Sequence, residues 1–309
     1  MRKKKTILII GGTGFIGFHL AKRLIKKNFI ILSISTKLPS PTRKVKGVKY
    51  LLCDICKLAE LKKVINKKKK YNYVINLGGY VDHTNKKKTY NSHYLGCKNL
   101  STIFLGKKIE RFIQIGSSIE YGKEKSPQIE NRPIKEKSIK STYGLAKFKA
   151  TKYLINLYKK NRFPAVILRL YLIYGPCQDT NRFLPIIITN CVKKKSFPCS
   201  EGVQYRDFLY IDDLIDVIEK FLNKKTFLNG QIFNIGSGKP RNIKNTIKLI
   251  TKKIKGGLPI YGKVKLRKDE IIRLYPSIKK IKKYTNWRPK VSFKKGLIKS
   301  IMYYEKNCK

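Results

Sequence analysis

Short apolar runs alternate with amphipathic stretches through the first two thirds of the chain. The runs Thr6 to Ile10, Ile30 to Ile34, Val48 to Cys53, Tyr73 to Leu77, Phe112 to Ile115 and Ala165 to Leu170 are rich in Ile, Leu, Val and aromatic residues. Near-continuous runs of this kind predict strands buried on both faces. Between them, Phe15 to Lys27, Lys57 to Asn66, Lys88 to Gly106 and Ser141 to Asn161 predict helices. The alternation predicts an α/β fold with a doubly wound parallel sheet. After Gly175-Pro176 the pattern becomes shorter and mixed. Residues 1–176 are therefore expected to form the sheet domain, with parts of 203–238 completing its core, and 177–309 mainly a small α/β cap. Neither an internal repeat nor a low-complexity linker is present.

Composition narrows the class. The chain has 309 residues, 42% of them hydrophobic, with 71 Lys and Arg against 18 Asp and Glu, a formal charge of +53. So much apolar surface can offset the entropy of ordering, which excludes a disordered polycation. Only 13 of the basic residues are Arg, and the lysines are scattered. A nucleic-acid footprint would instead concentrate basic side chains on one face beside a recognisable motif. A solvated lysine-rich surface with no specific nucleic-acid partner is the expectation. No stretch reaches the roughly 18 apolar residues of a membrane span, and no signal peptide is legible. The seven cysteines form no regular framework, which suits reduced thiols in a cytoplasmic protein. Cys53-Asp54-Ile55-Cys56 lacks the second pair or histidine that a zinc site would need.

Candidate chemistry begins at the first turn. Gly11-Gly12-Thr13-Gly14-Phe15-Ile16-Gly17 follows the first strand and opens a helix. Glycines there let backbone N–H groups approach a pyrophosphate at the helix N-terminus, so the loop predicts dinucleotide binding. The second strand ends in Ser35-Thr36-Lys37, where an acidic residue would bond the ribose 2′-hydroxyl of NAD. Hydroxyls and a positive charge suit a 2′-phosphate, so NADP is favoured and NAD remains open. Asp54, with Ile55 beside it, is placed to bond the adenine amino group or to cap the next helix. Further on, Gly116-Ser117-Ser118-Ile119-Glu120-Tyr121-Gly122 ends the fifth strand, and Tyr143-Gly144-Leu145-Ala146-Lys147 opens a helix. Tyr143 and Lys147 share a helical face. A free Tyr has a pKa of about 10, and an adjacent cation favours the phenolate a general base needs. Ser117 is placed to hydrogen-bond a substrate oxygen. Glu120 is expected to point away by strand alternation.

Together these motifs resemble an extended short-chain dehydrogenase/reductase of the NAD-dependent epimerase/dehydratase group. The resemblance extends to Asn76-Leu77-Gly78-Gly79, Leu168-Arg169 leading to Tyr174-Gly175-Pro176, Arg206-Asp207-Phe208-Leu209-Tyr210-Ile211-Asp212-Asp213, Phe233 to Gly238, and Asn286-Trp287-Arg288-Pro289. It implies a Rossmann sheet, with Leu77, Gly78 and Gly79 beside the cofactor. It also implies a nucleotide-sugar substrate touching Ser118, with Arg182 and Arg206 gripping its diphosphate, although Arg182 could be a solvated helix residue and Arg206 could pair with Asp207, Asp212 and Asp213. That acidic group is read as structural, capping the helix Leu214 to Phe221. Ser118 and Ile119 stand where family dehydratases carry Asp and Glu, which leaves epimerisation, or reduction of a 4-keto nucleotide sugar as the alternative. His93 replaces a family Asn and would serve either a water chain or the core. Leu172 replaces another Asn, so the nucleotide need not be UDP. A homodimer through the helices around 88–106 and 141–161 is implied by resemblance. A non-catalytic, RNA-contacting dinucleotide binder is the rival from another class.

Overall fold

The computed structural model describes residues 4–65, 69–80, 82, 84–222, 226–267 and 270–307. Two compact units are present. The first comprises residues 1–122, 130–170 and 215–233. It holds β1 (Thr6–Ile10), α1 (Phe15–Lys26), β2 (Ile30–Ser35), β3 (Val48–Leu52), α2 (Leu58–Val64), β4 (Tyr73–Asn76), α3 (Lys86–Tyr90), α4 (Gly96–Phe104), β5 (Arg111–Ser117), α5 (Thr142–Asn161) and β6 (Ala165–Leu170). Strands β1 to β6 pair in parallel. With β10 (Gln231–Ile235) the seven-stranded order is β10-β6-β5-β4-β1-β2-β3, the doubly wound arrangement. The order reverses between β1 and β4, the switch point outside which such sheets bind ligands. On one face of the sheet, Leu8, Ile10, Leu32, Val74 and Phe112 share a core cluster with Cys97, Leu100 and Phe104 of α4 and Ala150 and Leu154 of α5.

Two elements differ from the sequence pattern. β5 runs on to Ser117 because Gly116 and Ser117 pair with Arg169 and Leu170 of β6. The helix expected over 88–106 is interrupted by a wide π turn, Asn91–Leu95, between α3 and α4. Gly96 explains the seating: a Cβ there would lie 2.5 Å from the Ile55 side chain. Asn99 pins the same segment by donating to the carbonyls of Ile55 (2.9 Å) and Cys56 (3.0 Å).

The second unit comprises residues 123–129, 171–214 and 234–309. It contains β7 (Leu172–Tyr174), α6 (Phe183–Val192), β8 (Ser196–Pro198), β9 (Tyr205–Tyr210), β11 (Pro240–Asn242), α8 (Ile243–Ile254), β12 (Leu258–Ile260), β13 (Arg273–Leu274), α9 (Lys279–Thr285) and α10 (Phe293–Asn307), while α7 (Ile211–Leu222) begins in it and ends in the first unit. Its main sheet centres on β9, which pairs with β7, β11 and β13. Gly296 lets α10 close onto this sheet, since a Cβ would overlap the Tyr174 hydroxyl and lie 2.7 Å from the Tyr210 ring. Trp287 is buried and Arg288 exposed, so Asn286 to Pro289 is a packing motif. Among the described residues no helix is long and apolar enough to cross a membrane.

Candidate active site

The loop after β1 is built by its glycines. Gly11 adopts φ +77°, and at Gly17 a Cβ would overlap the Gly11 carbonyl, so helix and loop touch backbone to backbone. Gly14 differs: a Cβ there would meet only the Gly11 oxygen, at 3.5 Å. Nothing in the fold itself forbids a side chain at Gly14. It is also the N-cap of α1 and offers no side-chain cap, which leaves first-turn amides for a ligand's oxygens. These features fit a dinucleotide pyrophosphate. At the tip of β2 the Ser35 hydroxyl is buried with no hydrogen-bond partner among the described residues, while Thr36 and Lys37 are exposed. Donors at that place fit an adenosine ribose. Asp54 accepts from the Cys56 N–H (2.9 Å), closing the turn after β3, and α2 begins later with Lys57 as its N-cap. Asp54 is therefore not a helix cap. Ile55 is buried, and Leu77 donates its N–H to the Ile10 carbonyl (3.0 Å), holding Gly78 and Gly79 beside the β1 loop.

Tyr143 and Lys147 occupy the first two turns of α5, whose N-cap Ser141 accepts from the Gly144 N–H (3.1 Å). A side chain at Gly144 would meet Ile119 Cγ2 at 2.8 Å, so this glycine brings α5 against the turn after β5. Lys147 is 4% exposed and donates Nζ to the Ile115 carbonyl (2.8 Å), two residues before Ser117. Its Nζ lies 5.9 Å from the Tyr143 ring centroid. Burial pushes the Lys147 ammonium down to about 8, opposed by the negative charge of Glu120 and by Cys97. Ser117 and Ser118 are both buried. His93, carried on the π turn, sits edge-on to the Tyr143 ring with centroids 4.9 Å apart, and its Nε2 lies 3.2 Å from the Tyr80 carbonyl. A side chain at Gly79 would overlap the imidazole. His93 thus packs directly behind the phenol.

Glu120 corrects the alternation argument. The strand ends at Ser117 and the chain enters a 3₁₀ turn, Ser118–Tyr121, in which Ser117 and Glu120 form a capping box. Glu120 is turned inward and fully buried, accepting from the Ser117 N–H (2.7 Å), Thr151 Oγ1 (2.8 Å) and Arg169 Nε (2.8 Å). The S-x-x-E spacing was the available signal.

In the second unit, Arg182 is the half-buried N-cap of α6. Arg206 pairs with Glu270, not with the acidic group after β9; Glu270 also meets Arg267 at 3.3 Å. Burial pushes the Arg206 guanidinium down, against the charge of Glu270. The acidic residues do not act together. Asp207 holds the turn at Ser237 to Lys239, and Asp213 accepts from the N–H groups of Lys290 (2.9 Å) and Val291 (3.1 Å). Asp212 and Asp213 are both first-turn carboxylates of α7, which starts at Ile211, as the sequence suggested. Among the described residues no cluster of His, Cys, Asp or Glu could hold a metal.

The profile of the NAD-dependent epimerase/dehydratase family matches residues 7–236. The chain belongs to this family. It is therefore an enzyme of the extended short-chain dehydrogenase/reductase type, in a family that works on nucleotide sugars with NAD. A putative UDP-glucose 4-epimerase of Methanocaldococcus jannaschii is 29% identical over 316 residues, 97% of this chain and 98% of that protein. The dTDP-D-glucose 4,6-dehydratase of Homo sapiens is 25% identical over 324 residues, 98% and 91% respectively. The crystal structure of UDP-glucuronic acid 4-epimerase from Bacillus cereus, in complex with UDP-glucuronic acid and NAD, shares the fold with a TM-score of 0.86 at 23% identity. That match covers 98% of this chain and 99% of the other.

Proposed function

We propose that the chain is a nucleotide-sugar epimerase that works by hydride transfer at a sugar carbon, with Tyr143 as general acid/base. The observation that supports it most directly is the bond from Lys147 Nζ to the Ile115 carbonyl, which ties the Tyr143 helix to the strand that ends in Ser117. Tyr143 takes the proton from the sugar hydroxyl as the carbonyl forms and returns it afterwards. Lys147 holds its ammonium beside the phenol and favours the phenolate. Ser117 orients the sugar oxygen. The bound dinucleotide supplies the hydride acceptor, held by the amides after Gly14 and by Ser35, Thr36, Lys37, Asp54 and the Leu77 to Gly79 turn. Ser118 contacts the sugar, and Arg182 and Arg206 take the diphosphate. With Ser118 and Ile119 in place of acids, the site lacks the extra proton donor and acceptor that elimination requires, which argues against dehydration.

The second reading, reduction of a 4-keto nucleotide sugar by NADPH, is favoured by the hydroxyls and cation at Ser35, Thr36 and Lys37. One experiment separates the two. The freshly purified protein is denatured, the released dinucleotide identified by mass spectrometry, and the emptied protein titrated with NADH and NADPH. Retained NAD, with interconversion of 4-epimeric UDP-sugars by NMR, supports the epimerase. An empty protein that prefers NADPH and reduces a 4-keto nucleotide sugar supports the reductase and overturns the first reading.

A further inference from the structure

Beneath the proposed catalytic residues lies a charged cluster to which the reaction assigns no step. Glu120 and Arg169 are 0% and 2% exposed, and their side chains meet at 2.8 Å. A buried ion pair gains little stability over an apolar pair of similar size, so it calls for a reason. Its surroundings provide one. Glu120 Oε1 accepts the backbone N–H of Ser117, and Oε2 accepts both Arg169 Nε and Thr151 Oγ1. The Arg169 guanidinium stacks 4.5 Å over the Tyr121 ring, which holds the pair from the other side. Room for it is made by Gly116, where a Cβ would come 2.5 Å from Glu120 Oε1 and 3.2 Å from Arg169. One carboxylate thus joins the end of β5, the second turn-pair of α5 and β6.

We infer that Glu120 is a positioning residue for the set Ser117, Tyr143 and Lys147: its carboxylate fixes the Ser117 backbone and supplies the buried negative charge that keeps Lys147 an ammonium. This rests on the catalytic roles proposed above for those three residues. The titratable and charged groups around the cluster are Tyr143 and Lys147 on α5, Cys97 on α4, His93 against Tyr143, Tyr121 on the turn and Arg169 on β6. Of these, Glu120 and Cys97 raise Lys147 against its burial, and burial holds the Cys97 thiol up at about 12, which leaves the Glu120 carboxylate of the Arg169 ion pair as the partner charge.

The test uses Glu120→Gln, which keeps a carbonyl acceptor for the Ser117 N–H, turns its amide NH2 as a donor toward the Thr151 hydroxyl and removes the charge, and the double variant Glu120→Gln with Arg169→Met, which leaves no buried charge unpaired. Lys147 is titrated in ligand-free protein carrying 13C-ε-lysine, its signal assigned by loss in Lys147→Met. The wild-type midpoint is expected near pH 8. Both variants should titrate lower by about one unit or more. The alkaline limit of kcat should fall in step, with KM changed less than about twofold. Loss of thermal stability in the single variant should be recovered in the double variant, while the lowered Lys147 midpoint is not. If the single variant does not fold, the double variant carries the test. An unchanged Lys147 midpoint in the variants overturns the assignment, and so does a wild-type kcat profile in the double variant, because the pair then serves the fold alone. A lowered midpoint in a protein whose wild type turns over no nucleotide sugar supports the Glu120–Lys147 coupling and overturns the proposed reaction instead.

Discussion

Tyr143 and Lys147 were legible because an i, i+4 pair is a property of any helix, and α5 is a long one. Tyr143→Phe should bind dinucleotide as the wild type does and lose kcat by about a hundredfold or more, measured by single-turnover kinetics. Gly14 and Gly17 look equivalent in the sequence and are not. Gly14→Ala should keep its melting temperature and weaken dinucleotide binding at least about tenfold in a fluorescence titration, because the Cβ enters space the fold leaves open. Gly17→Ala should instead lower the melting temperature, since its Cβ overlaps backbone. Asp207 has a separate pH signature. Burial pushes its carboxyl up to about 6, against hydrogen bonds from Ser237 and Lys239. A carboxyl raised on folding holds its proton more tightly in the native state, so its contribution is full below about pH 4 and is lost as pH rises through about 6. The stability of wild type relative to Asp207→Asn should therefore fall across that window in chemical denaturation.

At the scale of elements, the strand predictions for the first unit agree with the structure to within one or two residues, because parallel strands buried on both faces are written as continuous apolar runs. The interrupted helix between Lys86 and Phe104 was not legible. Its π turn follows from where Ile55 and Asn99 meet, and those residues are 44 apart in the chain. Alternation failed at Glu120 for a related reason: the rule holds only while the strand lasts, and the strand ends at Ser117. In the second unit, α10 depends on one small residue. Gly296→Ala should cost about 1–3 kcal/mol of stability by overpacking against Tyr174 and Tyr210, read as a shift in the denaturation midpoint of the full chain.

Across the whole molecule, the charge of +53 acts on stability and association more than on fold. Ion pairs recorded among the described residues engage few of the basic side chains, and most of those pairs are partly exposed. Self-repulsion should therefore be relieved by salt. The melting temperature should rise between about 10 mM and about 150 mM NaCl, as the screening length shortens to about 8 Å. Binding to a polyanion such as heparin should weaken steeply over the same range and be unaffected by Tyr143→Phe.

The sequence alone determined what repeats over a few residues: the alternation that makes a parallel sheet, the glycine loop at the first turn, the helical spacing of Tyr143 and Lys147. Local stereochemistry is enough to produce each of these. Only the tertiary structure decided which distant groups share a charge or a hydrogen bond. It brought Arg169 to Glu120, gave Arg206 to Glu270, and sent Asp207 and Asp213 to separate loops. A buried charge must find its partner wherever the fold brings one within reach, and that partner lies outside any window of neighbouring residues.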